Sequence, residues 1–184
     1  MLSSMLGKRN IYLIGPMGTG KSAVGRHIGR LLGVTFYDSD AEIERHAGVD
    51  IPYIFDREGE ARFRARERDV LAALCRKEPI VLATGGGAVL AAENRKLLHE
   101  TGIVVYLQTS LSQQLHRVGK GRGRPLLKDA NLPARLAELR AIRDPLYREI
   151  ADVTLSTDNR RVARVANLVL DELGIKAAGP TDSG

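Results

Sequence analysis

The sequence predicts an α/β domain built on a parallel β-sheet with helices on both of its faces. Three observations carry that prediction. Short apolar runs alternate with segments of helical spacing from residue 10 to residue 173, an order that needs right-handed crossovers between parallel strands. The runs at 80–83 and 103–107 are apolar, as strands covered on both faces are. At the first strand-to-helix junction, Gly15-Pro16-Met17-Gly18-Thr19-Gly20-Lys21-Ser22 fits G-x-x-x-x-G-K-[ST], the pattern of a loop that cradles phosphates. With 184 residues the chain is one domain of ordinary size, able to bury a core without disulfides or a structural metal.

The first strand is 10–14. After the loop, Val24, Ile28, Leu31 and Leu32 recur at helical spacing, and Gly33 supplies a stop before a second strand at 34–37. Two short helical pieces follow, 41–47 and 52–57, the second opened by Pro52 in its first turn, and then a longer helix over 60–76. Charge crowds this stretch, and most of Arg57, Arg62, Arg66, Glu67, Arg68 and Asp69 read as a solvated helix face. The third strand, 80–83, ends in Thr84-Gly85-Gly86-Gly87, and a helix over 91–100 leads to the fourth at 103–107. Helices at 111–118 and 133–150 precede a short fifth strand, 153–155, and the last helix covers 161–173. Residues 1–9 read as a loose leader without the apolar centre of a secretory signal, and 175–184, small and polar, as a disordered tail. No repeat or linker divides residues 10–174.

Composition excludes some classes of function. A single cysteine, Cys75, rules out an internal disulfide and any multi-cysteine zinc site, which suits a reducing compartment and makes the cytoplasm the expectation. No segment is long and apolar enough for a membrane span. His27, His46, His99 and His116 share no metal-ligand spacing. A formal charge of +6 favours an anionic partner without choosing among metabolite, nucleotide and nucleic acid. Arginine is abundant on helical faces, so only motif context promotes one to a site.

The chemistry concentrates where the strands end, the edge at which open parallel sheets bind ligands. In the phosphate loop, glycines let backbone N–H groups curl around an anion, Lys21 brings a point charge to the outer phosphates, and Ser22 offers a hydroxyl to Mg²⁺ at a helix N-terminus. The loop predicts a bound nucleoside triphosphate. After strand two, Asp38 and Asp40 stand two residues apart on one side of an extended segment, one suited to a metal's water shell and the other to an acceptor hydroxyl. The alternative is that one of them caps the following helix. The glycine triplet after strand three lets a small ligand press on backbone, or is a tight turn. Residues 119–128, Gly-Lys-Gly-Arg-Gly-Arg-Pro-Leu-Leu-Lys, have the glycines and arginines of a lid closing over phosphates, with Arg124 foremost, or form a solvated loop.

Taken together, these motifs resemble the shikimate kinase family. The resemblance rests on Gly15 to Ser22, on Asp38-Ser39-Asp40, on residues 55–64 (Phe-Asp-Arg-Glu-Gly-Glu-Ala-Arg-Phe-Arg), on Gly85-Gly86-Gly87-Ala88-Val89, on Arg124-Pro125-Leu126-Leu127 and on Arg143-Asp144-Pro145-Leu146-Tyr147, in order across residues 10–173. It implies a three-layer α/β/α P-loop fold of the nucleoside-monophosphate-kinase type, with a five-stranded parallel sheet, a substrate-binding insertion at about 38–65 and a lid at about 117–130. It also implies transfer of the γ-phosphoryl group of MgATP to the 3-hydroxyl of shikimate, with ATP and Mg²⁺ as the cofactors.

By that likeness Asp40 contacts the ring hydroxyls and draws the proton from the attacking one, while Arg64 and Arg143 grip the substrate carboxylate beside Gly85, Gly86 and Gly87. Asp38 acts on Mg²⁺ through water beside Ser22. Gly15, Gly18, Thr19, Gly20, Lys21, Ser22 and Ala23 hold the phosphates, Arg124 reaches them from the lid, and Arg117 and Arg161 flank the nucleotide. Lys21, Asp40 and Arg124 form the catalytic set. Two departures from the family pattern stand out: Ala23 occupies a position where threonine is common, and residues 156–163 lack a proline expected soon after the Asp-Asn-Arg-Arg core. The implied partner is shikimate, with a monomeric state and neither nucleic acid nor membrane. A kinase for another small acceptor would share the loop and lid without needing Arg64 and Arg143 beside Asp40. A nucleotide-gated nucleic-acid module would suit the +6 charge, but no basic and aromatic interleaving supports it at 4% aromatic content.

Overall fold

The computed structural model of the chain describes residues 9–119 and 131–176. Its strands are β1 (Asn10–Ile14), β2 (Thr35–Asp38), β3 (Ile80–Ala83), β4 (Gly102–Gln108) and β5 (Val153–Ser156). They pair in parallel throughout, in the order β2-β3-β1-β4-β5, with Tyr12 opposite Leu82 on one side and Val104 on the other. Strand order therefore reverses at β1, and the crevice that such a reversal opens lies at the end of β1, where the phosphate loop begins. The fold is the α/β P-loop architecture that the sequence predicts.

The helices are α1 (Lys21–Leu32), α2 (Ser39–Ala47), α3 (Ile51–Cys75), α4 (Ala92–Thr101), α5 (Leu111–Gly119), α6 (Leu132–Ile150) and α7 (Val162–Glu172). Side chains of β1 alternate between two cores. Ile11 and Leu13 meet Val24 and Ile28 of α1 and Val165, Ala166 and Val169 of α7. Tyr12 and Ile14 share the opposite core with Ile43 of α2, Phe63, Leu71 and Leu74 of α3, Leu98 of α4 and Tyr147 of α6. Gly33 ends α1 in the left-handed region at φ 66°, as the stop signal predicts. After α7, the Ile175 amide donates to the Leu170 carbonyl and its side chain packs on the α1/α7 core. Among the described residues no helix is long and apolar enough to cross a membrane.

Three readings of the sequence change on folding. The two helical pieces expected at 52–57 and 60–76 lie in one element, α3, broken internally at Gly59, whose φ of 82° and ψ of 170° are not helical. Asp40 is not in extended chain: α2 starts at Ser39 because Asp38 caps it, its Oδ1 accepting from the amides of Asp40 at 3.0 Å and Ala41 at 3.1 Å. Finally, Glu67 does not belong to a solvated face. It is 1% exposed, in a stripe of α3 with Phe63, Val70, Leu71 and Leu74. The reading does hold for Arg66, whose fork pairs with exposed Glu58 at 2.9 Å. The leader (1–8), most of the proposed lid (120–130) and the end of the tail (177–184) lie outside the described residues.

Candidate active site

The phosphate loop is shaped by backbone conformations that side chains resist. Gly15, Gly18 and Gly20 have φ of 143°, 81° and 83°, and a Cβ on Gly15 would strike the carbonyl oxygen of Leu107 at the end of β4. Gly20 is the N-cap of α1 and brings no side chain to it, so the first-turn amides of that helix remain open to an anion. Lys21 Nζ donates to the Pro16 carbonyl at 2.9 Å, folding the side chain back over the loop, and the buried Thr19 hydroxyl donates to the same oxygen at 3.2 Å. Helix α5 braces the loop from below: Gln114 Nε2 donates to the Met17 carbonyl at 2.9 Å and Arg117 to the Gly18 carbonyl at 3.1 Å. Ala23 follows in the first turn of α1, half-buried.

Ser22 and Asp38 meet directly, the Ser22 hydroxyl donating to Asp38 Oδ2. Since Asp38 Oδ1 caps α2, one carboxylate serves both purposes, and capping does not compete with a place beside the phosphate loop. Among the described residues no group of three or more His, Cys, Asp or Glu side chains is gathered for a metal. Two hard oxygen donors at a phosphate loop fit Mg²⁺, which takes few protein ligands and fills its octahedron with phosphate oxygens and water.

The glycine triplet after β3 organises the rest. A Cβ on Gly85 would lie 2.5 Å from Asp40 Oδ1, one on Gly86 would lie 3.4 Å from an Nη of Arg143, and one on Gly87 would collide with the Arg64 guanidinium. Three consecutive glycines thus border three charged side chains, delivered by α2, α6 and α3. The same Gly86 position is 3.6 Å from the Met17 amide and 3.7 Å from the Gly15 carbonyl, so the triplet abuts the phosphate loop. Ser39 fixes it there, its buried hydroxyl accepting from the Gly85 amide at 3.0 Å.

Electrostatics single out Asp40. Its Oδ1 is buried with no hydrogen-bond partner among the described residues. Burial, together with the negative charges of Asp38 and Glu67, pushes its pKa up to about 6 against the opposing pull of Lys21 and Arg64. Arg64 is held by buried Glu67, Nη1 to Oε1 at 2.8 Å, and more loosely by Glu60 at 3.5 Å. Arg64 Nε and Glu67 Oε2 are likewise buried without partners among the described residues. Burial raises the pKa of Glu67, and the charge of Arg64 is the main force opposing that rise. Unsatisfied buried groups are costly in a finished fold, and their clustering around one cleft marks a place for a polar ligand.

Arg117 donates from Nη1 to Gly18 O and Thr157 Oγ1 and from Nη2 to Thr157 O, at 3.0–3.1 Å. It ties the loop to the segment after β5. Arg161 is exposed at the N-cap of α7, while its neighbour Arg160 donates to the Ser156 carbonyl at 2.8 Å. Arg124 lies outside the described residues. Lys21, Asp40, Arg64, Arg143, Ser22 and Asp38 therefore gather around two adjoining loops, and Arg117 stands on the far side of the first.

The sequence reading gave no role to Glu67, Ser39 or Tyr147. Glu67 carried a signal: it occupies an apolar stripe of α3, where an isolated charge must have a partner. Ser39 lay between two aspartates that drew the argument. Tyr147 sits four residues after Arg143, on the same helical face.

Comparison with known proteins supplies a family for this fold. The family model described as shikimate kinase matches residues 17–174. A shikimate kinase of Methylococcus capsulatus is 58% identical over 153 residues, covering 83% of this chain and 86% of that protein. One of Pseudomonas fluorescens is 53% identical over 165 residues, 90% and 96% of the two. Among solved structures, shikimate kinase from Acinetobacter baumannii in complex with shikimate superposes with a TM-score of 0.88 at 47% identity, over 94% of this chain and 97% of that one.

Proposed function

The chain belongs to the shikimate kinase family, and on that premise we propose how its residues transfer the γ-phosphoryl group of ATP to the 3-hydroxyl of shikimate, giving shikimate 3-phosphate and ADP. The observation that carries the reading is the glycine triplet with a charged side chain at each residue, set against the phosphate loop.

A small acid bearing hydroxyls needs planar donors at one end and an acceptor at the other. Arg64 and Arg143 present guanidinium forks to the carboxylate, a bidentate geometry that an ammonium cannot reproduce. The orphaned Oδ1 of Asp40 accepts from the attacking hydroxyl. With a pKa of about 6 the carboxylate is mostly ionised at neutral pH and close enough to neutrality to take the proton as the new O–P bond forms. The transition state of phosphoryl transfer is loose, so alignment and charge neutralisation provide most of the acceleration. The α1 amides and Lys21 hold the phosphates, with Lys21 exchanging the Pro16 carbonyl for the outer two. Ser22, and Asp38 through water, hold Mg²⁺, which when bound neutralises charge on the phosphate oxygens. Arg124 meets the same charge from the lid, and Arg117 and Arg161 border the nucleotide.

The reading extends to a monomer in the cytoplasm that uses neither nucleic acid nor membrane. The single cysteine, which is buried, suits a reducing compartment, and large apolar side chains exposed among the described residues are few: Val49, Tyr53, Ile142 and Val162.

The test is an ADP-release assay run in parallel with shikimate, gluconate, AMP and no acceptor. Shikimate alone is expected to raise the rate, by at least about a hundredfold over background, because AMP has no carboxylate and the open chain of gluconate does not hold carboxylate and hydroxyls at the fixed separation of a ring. Equal acceleration by gluconate or AMP would overturn the assignment of the acceptor.

Gly87→Ala probes the cleft without replacing a charged residue. Its methyl group would occupy the position of the Arg64 guanidinium, the far end of a flexible side chain, so the protein folds with Arg64 displaced. Steady-state kinetics should then show the KM for shikimate raised about ten- to hundredfold, the scale of a charge-assisted hydrogen bond, with the KM for ATP unchanged.

A further inference from the structure

Tyr147 is buried to 1% exposure one turn beyond Arg143, and its ring stacks on Tyr106 with centroids 4.9 Å apart. A phenylalanine would fill that volume equally well, so the hydroxyl needs its own explanation. It donates to the carbonyl oxygen of Gly86 at 2.5 Å. The direction is unambiguous because a carbonyl has no donor. The hydroxyl therefore fixes the one residue of the triplet whose Cβ position is 3.4 Å from Arg143 Nη1, and the positive charge of Arg143 acts on the hydroxyl from the same helical face. Burial pushes the Tyr147 pKa up to about 12, so the hydroxyl keeps its proton, and with it the bond to Gly86, across the physiological range.

The ring is held in its turn. Tyr106 of β4 donates from its hydroxyl to Asp144 Oδ1 at 2.5 Å, and Asp144 Oδ2 accepts from Arg148 Nε at 2.7 Å. The first bond ties α6 to the sheet one turn before the contact and the second, within α6, holds Asp144 in place, so the Tyr147 oxygen has little freedom to move away from Gly86.

We propose that Tyr147 is a positioning residue for acceptor recognition, its hydroxyl fixing Gly86 so that the Gly85-Gly86-Gly87 loop backs the Arg143 guanidinium at the angle that reads a carboxylate. The proposal rests on the reading that Arg143 grips the carboxylate of shikimate. It predicts a loss confined to one substrate and to one functional group of that substrate. Among the described residues Tyr147 itself makes no hydrogen bond to the phosphate loop or to Asp40, so the KM for ATP and kcat serve as the controls.

The experiment compares wild type and Tyr147→Phe with two acceptors, shikimate and its methyl ester, which keeps the hydroxyls and lacks the charge. For Tyr147→Phe the KM for shikimate should rise about five- to twentyfold, with kcat and the KM for ATP within about twofold of wild type. The kcat/KM preference for acid over ester should shrink by the same factor, since the ester makes no use of the clamp. A destabilised variant loses active enzyme equally for both acceptors, so the preference remains a valid readout whatever the stability. An unchanged acid-over-ester preference in Tyr147→Phe, beside a strong one in wild type, would show that the hydroxyl serves packing alone and would overturn the proposal. If wild type itself fails to prefer the acid, the carboxylate reading of Arg143 falls, and this inference with it.

Discussion

Asp40→Asn is expected to lower kcat with shikimate by about a hundredfold or more, while the thermal midpoint at pH 7.5 stays at or above that of the wild type. The two effects share one cause. Burial and two neighbouring carboxylates, Asp38 and Glu67, make ionised Asp40 expensive in the folded state, which is why its pKa stands at about 6 rather than the usual 3.8. For an acid whose folded pKa is raised, the favourable contribution is complete below the unfolded value near 3.8 and is lost as pH rises through about 6. At pH 7.5 the wild type therefore carries a destabilising charge, worth on the order of 2–3 kcal/mol, and the neutral amide removes it. Asparagine cannot take a proton, so turnover falls as stability holds, the usual relation between an activated site and its scaffold. The pH profile offers a second reading. Wild-type kcat/KM should fall on the acid side with an apparent pKa near 6, and the residual activity of Asp40→Asn should lack that limb. Near-normal turnover in the variant would remove Asp40 from the proton-transfer role.

The second large effect belongs to Arg64. Arg64→Ala is expected to raise the KM for shikimate by about a hundredfold and also to weaken the fold, because Glu67 at 1% exposure loses the cation that holds it at 2.8 Å. Breaking one side of a buried pair costs about 3 kcal/mol or more. Burial already raises the pKa of Glu67 and Arg64 is the chief restraint on it, so in the alanine variant that pKa climbs further. The destabilisation is then greatest at high pH and eases as pH falls and Glu67 takes up a proton. Arg64→Lys separates the two functions. It keeps a positive charge near Glu67 and loses the planar fork, so thermal denaturation should stay near wild type while the KM for shikimate still rises at least about tenfold. If lysine restores the KM as well, the fork geometry is irrelevant and charge alone recognises the acceptor.

Most of the framework was legible because its signals are local. The apolar runs became β1, β3 and β4 nearly to the residue, Gly33 ended α1, and Pro52 sits in the first turn of α3 behind an aspartate cap. The phosphate loop could be placed from its pattern because only glycine tolerates the φ values found there. What could not be read was decided by partners distant in sequence. For Asp40 the two local readings, an extended segment and a helix cap, compete on the same residues, and the fold takes the cap, with Asp38 starting α2 two residues before the helical spacing does. Glu67 stands among charged neighbours along the chain, and only its spacing from Phe63, Val70, Leu71 and Leu74 sets it on the inward face. Tyr147 gains its role from a carbonyl 61 residues away, and no pattern along the chain encodes that meeting.

The crowding around Gly85, Gly86 and Gly87 also has an evolutionary consequence. Every single-base change in a glycine codon that alters the protein and keeps the chain intact adds at least a methyl group. At Gly85 and Gly87 that methyl lands on a charged group, while at Gly86 it only comes into contact with a third. Neutral drift has no intermediate step at the two ends of this stretch, so lineages seeking a new acceptor must vary the helices around the triplet and leave those ends as they are.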